Sequence, residues 1–117
     1  MKKTILCAAA AVFALGFAGA ASAHAKLVKA DPAKDATIAS TNMAHLTFNE
    51  ELSGKLSGAK VTDASGKAVP QSAMAQGKTM MLTFKTPLPA GAYKVDWHAV
   101  ASDDGHRTDG TYSFTVK

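Results

Sequence analysis

The 117-residue sequence predicts an all-β domain built from two packed sheets, and three observations carry that reading. From residue 24 onward, apolar and polar residues alternate in short runs, the period of a half-buried strand. Gly, Pro, Asp and Ser interrupt those runs at the spacing of about ten residues typical of sandwiches. No segment carries the 3.6-residue apolar period of an amphipathic helix.

The elements follow in order. AKLVKA (25–30) forms the first strand, closed by Asp31-Pro32 because proline has no amide to give to a ladder. MAHLTFN (43–49) places Ala44, Leu46 and Phe48 on the core face and His45, Thr47 and Asn49 on the other. GAKVTDASGKAVP (58–70) reads as a hairpin turning at Ser65-Gly66. KTMMLTF (78–84) points Met80, Leu82 and Phe84 inward, and Pro87 and Pro89 close it. GAYKVDWHAV (91–100) buries Tyr93, Val95, Trp97 and Ala99, with Trp97 at the centre of the core and His98 facing outward. TYSFTVK (111–117) buries Tyr112, Phe114 and Val116. About seven short strands, each with one apolar face, make two sheets packed face to face.

The first 23 residues are not expected to belong to that fold. MKKTILCAAAAVFALGFAGAASA combines Lys2 and Lys3, an apolar run and an Ala21-Ser22-Ala23 end, the three parts of a secretory signal peptide. A membrane anchor is the competing reading, but the run is rich in small residues and shorter than the ~20 strongly apolar residues of a span. The early Cys7 is not read as a lipid-attachment cysteine. Cleavage after Ala23 leaves a single domain, residues 24–117, exported and free of cysteine. That excludes disulfides, thiolate metal sites and cysteine nucleophiles. Of the 13 Lys and Arg, Lys2 and Lys3 leave with the leader, so 11 face 9 acidic residues, a balance too mild for nucleic acid or a membrane surface.

The segment ASDDGHRTDG (101–110) lies between the last two predicted strands. Asp-Gly is a hairpin signal in its own right. Asp104 and His106 stand two residues apart, and in an extended segment they project to the same side, where a carboxylate and an imidazole converge. Cleavage after Ala23 would make His24 the first residue, offering an α-amine and an imidazole to one ion. His24, Asp104 and His106 together supply three nitrogens and one oxygen, a set that suits tetragonal Cu(II). Zinc prefers a tetrahedral arrangement and is a competitor, whereas calcium and magnesium want mostly oxygen.

The stretches HAKLVKADPAKDATI, LTFNEELSGKLSGAKVTD and LPAGAYKVDWHAVASDDGHRTDGTYSFTVK resemble the copper resistance protein C family (CopC, PcoC and YobA-like periplasmic proteins) over nearly all of residues 24–117. The resemblance implies a seven-stranded, Greek-key β-sandwich or barrel of immunoglobulin-like type. It also implies a Cu(II) site at His24, Asp104 and His106, the set reached above from the residues. The acidic residue of its L-x-F-x-E segment falls on Glu50, either an outer-shell hydrogen-bond acceptor for a ligand imidazole or a strand-end charge. Asp103 is an extra aspartate that alternation turns away from His106. Some relatives carry a methionine-rich loop suited to Cu(I). Its equivalent here, TDASGKAVPQSAM (62–74), holds only Met74, Met81 reads as an isolated outward residue, and Met43-x-His45 is a lone pair on a solvated face. One Cu(II) site and no competent Cu(I) site are therefore expected.

Three functions compete. The first is a monomeric copper-binding protein, not an enzyme, that buffers or carries Cu(II) in copper homeostasis or resistance. The resemblance supplies a CopD-like inner-membrane copper permease as its candidate partner. The second is a copper-dependent oxidative enzyme with a histidine-brace site. Such sites leave positions open for oxygen and use a flat aromatic surface, whereas here a carboxylate fills a fourth position and most aromatic residues point inward. The third is a plain adhesion or scaffold sandwich in which these residues are accidental. The first is favoured.

Overall fold

The structure is a computed structural model that describes residues 25–117; the predicted leader and His24 lie outside the described residues. Eight strands occur, β1 (Leu27–Asp31), β2 (Thr37–Ile38), β3 (Met43–Phe48), β4 (Gly58–Asp63), β5 (Gln71–Gln76), β6 (Thr79–Phe84), β7 (Gly91–Val100) and β8 (Arg107–Val116), and no helix among the described residues. They form two four-stranded sheets, ordered β1-β3-β6-β5 and β2-β8-β7-β4. Only β5–β6 and β7–β8 are neighbours joined within one sheet; every other connection crosses between the layers. The all-β sandwich expected from alternation is thus the fold.

The inward sets are those the period-2 pattern selects. Ala44, Leu46 and Phe48, then Met80, Leu82 and Phe84, face Tyr93, Val95, Trp97 and Ala99 together with Tyr112, Phe114 and Val116, all of them buried. The Phe48 ring meets Trp97 edge-on at 5.0 Å, and Tyr93 stacks on Phe114 at 5.7 Å. Tyr93 Oη donates to Pro89 O at 2.6 Å, so its polar end is satisfied while its ring fills the core.

Four local expectations need correction. The turn predicted at Ser65-Gly66 forms, with Asp63 Oδ1 accepting from the Ser65 and Lys67 amides and Gly66 at φ 87°. Its second arm, however, stays paired with β4 only as far as Val69, whose amide donates to Val61 O at 2.9 Å, before the chain crosses to the other sheet. There QSAMAQ becomes β5, an edge strand whose few apolar residues gave no sequence signal. Second, the strand count is eight, because Thr37–Ile38 adds a short parallel pair to the end of β8. Third, β8 begins at Arg107, not at residue 111, since β7 is long enough to pair back to it through Val100.

The fourth correction concerns Met81. It is not isolated: on the outer face it lies opposite His45 of β3 on one side and opposite Met74 of β5 on the other. Register between three strands, absent from any one of them, makes that row.

Tyr112 is buried on β8, and its hydroxyl has no hydrogen-bond partner among the described residues. Burial, with the Asp31 carboxylate a smaller influence, pushes its phenol up to about 12. Tyr112→Phe removes an unpaired polar group and is expected to stabilise the fold by about 1 kcal/mol at pH 7. The unfolded phenol ionises near 10, so the wild-type protein loses stability as pH rises from there toward about 12. The advantage of Tyr112→Phe should therefore widen above pH 10, which urea unfolding at pH 7 and pH 11 will measure.

Candidate metal centre

The 101–106 connection closes β7 onto β8 as a tight turn. Ala101 N donates to His106 O at 3.0 Å, and Gly105 N donates to Ala101 O at 3.0 Å. Gly105 sits at φ 73°, in the left-handed region that a side chain disfavours, and this reversal folds His106 back over Asp104. The hairpin reading of Asp-Gly therefore holds, and the same turn brings Asp104 and His106 side by side.

Asp104 accepts from the His106 backbone amide through Oδ1 at 3.1 Å, and its Oδ2 stands 3.3 Å from His106 Nδ1. The hydrogen bond from the His106 amide holds the Asp104 carboxyl below the usual carboxylate range; partial desolvation opposes it, and the His106 ring adds a smaller lowering. Convergence thus comes from an Asx-type turn, not from strand alternation as the spacing suggested. Both side chains remain open to solvent, at 37% exposure for Asp104 and 60% for His106. Two donors bound at about 2 Å to one ion and separated by 90–110° lie roughly 3 Å apart, so the spacing of this pair is compatible with a shared cation.

Neighbouring segments meet at the same end of the sandwich. Ser102 N donates to Glu51 O at 2.9 Å, Leu52 bridges Ala101, and Ser53 N donates to Val100 O at 2.8 Å. The other side of that segment holds the start of the described chain: Lys26 N donates to Asn49 Oδ1 at 2.7 Å, and Asn49 N donates to Lys26 O at 3.1 Å. Ala25 is completely buried. The 49–53 segment therefore ties the chain entry to the Asp104–His106 turn, a link no spacing rule supplies.

Among the described residues no group of three or more His, Cys, Asp or Glu side chains could hold a metal ion. Asp104 and His106 stand together as a pair; His24, the third residue expected from the sequence, lies outside the described residues. Glu50, half-buried beside Asn49, makes no hydrogen bond to either residue among the described ones. Asp103 is exposed and likewise makes none there. His98 does face outward, its imidazole resting on Gly58, where a built Cβ would stand 3.1 Å from Cε1.

These features define a small two-sheet β-sandwich protein with an Asp-Gly-His turn at the end where the chain enters. The chain belongs to the CopC domain family, whose model matches residues 27–117. It is similar to Copper resistance protein C of Escherichia coli, with 40% identity over 113 residues, covering 88% of this chain and 89% of the relative. Copper resistance protein C of Pseudomonas syringae pv. tomato is 40% identical over 106 residues, with 83% of each chain covered. Among solved structures, PcoC, a methionine-rich copper resistance protein from Escherichia coli, matches with a TM-score of 0.75 and 40% identity over 81% of this chain and 100% of its own. CopC from Methylosinus trichosporium OB3b matches with a TM-score of 0.74 and 31% identity over 80% and 94%.

Proposed function

We propose that this protein is a periplasmic Cu(II)-binding protein that buffers or carries copper, as a monomer, through one site made by His24, Asp104 and His106. The observation that carries the reading is the 3.3 Å approach of the Asp104 carboxylate and the His106 imidazole on a turn tied through residues 49–53 to the chain entry. Removal of residues 1–23 would free the His24 amine, and that amine with two imidazoles and a carboxylate gives the nitrogen-rich tetragonal set Cu(II) prefers. The names of the relatives support copper as the cargo. Glu50 is the candidate to orient a ligand from the second layer, and a CopD-like permease is the candidate recipient.

A binding role is preferred to an oxidative enzyme because all six aromatic residues from Phe48 onward are buried, leaving no flat aromatic surface among the described residues for a polymeric substrate. Titration of the processed protein with Cu(II), followed by EPR, should give one ion per chain and a tetragonal nitrogen-rich spectrum. His106→Ala and Asp104→Ala should each weaken binding without unfolding the sandwich, since both lie on an end turn. Copper binds imidazole and amine nitrogens only in their deprotonated forms, while the lowered Asp104 stays ionised. Affinity should therefore fall steadily from pH 8 to pH 5. Two equal tight sites, or undiminished affinity in His106→Ala, would refute the assignment.

A further inference from the structure

Of the four methionines after Met1, only Met80 is buried; Met43, Met74 and Met81 are 39%, 69% and 41% exposed. All three lie on one surface, the outer face of the β1-β3-β6-β5 sheet. His45 is directly opposite Met81, Met81 is directly opposite Met74, and Met43 precedes His45 by two residues on the same face of β3. Opposed positions on a sheet hold their Cβ atoms about 4.5–5.5 Å apart, and diagonal ones about 7–8 Å. A thioether sulfur two flexible bonds beyond Cβ closes those gaps easily. The remaining outward positions here are polar, among them Thr47, Thr79, Thr83 and Gln76, so the soft donors form one cluster in a hydrophilic surround.

We infer that His45, Met43 and Met81, with Met74 as a flanking donor, form a second metal site selective for a soft monovalent ion, Cu(I). One imidazole and two or three uncharged thioethers match a d10 monovalent cation, and they offer a hard divalent ion only a single nitrogen. Among the described residues Asp31, opposite His45 on β1, is the one titratable side chain directly facing it across the sheet. The site is separate from the Asp104–His106 turn: four residue steps, about 13 Å at roughly 3.3 Å each, separate His45 from Asn49 at the end that carries the turn. It also lies mostly outside residues 62–74, since only Met74 comes from that stretch. The sequence expectation of no competent Cu(I) site considered Met43 and His45 without the β6 and β5 partners that register supplies.

The test uses the processed protein labelled at its methionine methyl groups. One equivalent of Ag(I), a redox-inert surrogate, should shift the Met43, Met81 and Met74 resonances and leave buried Met80 unmoved. Met43→Leu/Met81→Leu conserves volume and should melt like the wild type. That variant should lose at least about tenfold in anaerobic Cu(I) affinity against a chromophoric chelator, since first-layer ligands matter at least as much as the outer-layer groups worth 10–100-fold. Its Cu(II) affinity should be unchanged, which keeps this result distinct from the fate of the Cu(II) site. Unshifted outer methyl resonances would overturn the inference. So would Cu(I) binding that survives in the double variant but disappears in His106→Ala.

Discussion

Two extra residues placed before His24 should cost the processed protein most of its Cu(II) affinity while leaving the apo protein's melting temperature unchanged. In the extended chain the His24 nitrogen is an amide, whose lone pair is delocalised into the carbonyl, in place of a free amine. One nitrogen donor and its chelate ring are then lost together, and the expected fall exceeds the roughly 10–100-fold caused by losing an outer-layer partner. Stability should not follow, because the first residue of the described core, Ala25, is already fully buried and Lys26 is held by Asn49 from both sides of its peptide unit. If residues 1–23 are removed on export, the same contrast would separate precursor from product, and copper binding would begin only then. Isothermal titration and melting curves of both forms provide the measurement; equal affinities would remove the amino terminus from the ligand set.

Gly110→Ala is expected to destabilise the sandwich by about 2–3 kcal/mol, the upper part of the range for overpacking a core. Gly110 lies directly opposite Trp97 in the β7–β8 ladder, and the indole lies across its face. A methyl group built there would stand 2.6 Å from Trp97 Cε2 and nearer still to Cζ2. The ring cannot retreat freely, because its other side meets the edge of Phe48 across the core. For a domain of this size, such a loss lowers the melting temperature by roughly 10–20 °C. Combining Gly110→Ala with Trp97→Phe, which makes room for the methyl, should cost less than the sum of the two single changes. Strict additivity would mean that the two positions do not collide. The absence of a side chain four residues past His106 is thus what leaves room for the tryptophan.

The sheets were legible in the chain because burial on one face imposes a period of two, and every core residue from Ala44 to Val116 predicted by alternation is buried. Edges were less legible. QSAMAQ pairs only with β6, and its edge position asks little of its side chains, so it left no apolar pattern to read. The candidate ligands Asp104 and His106 were also identifiable, since a carboxylate and an imidazole beside a turn glycine are local features.

The sequence by itself determined the sandwich, its inward residues and the donor types near the Asp-Gly-His turn, all of which depend on neighbours within a few residues. Only the tertiary structure decided which distant segments meet. It tied Lys26 to Asn49 and Glu51 to Ser102, bringing the chain entry to the end that carries the turn. It also set His45, Met81 and Met74 in one row across three strands. Both outcomes depend on strand order and register, which are fixed by packing two apolar faces together and by the ladders between strands, so no single strand encodes them.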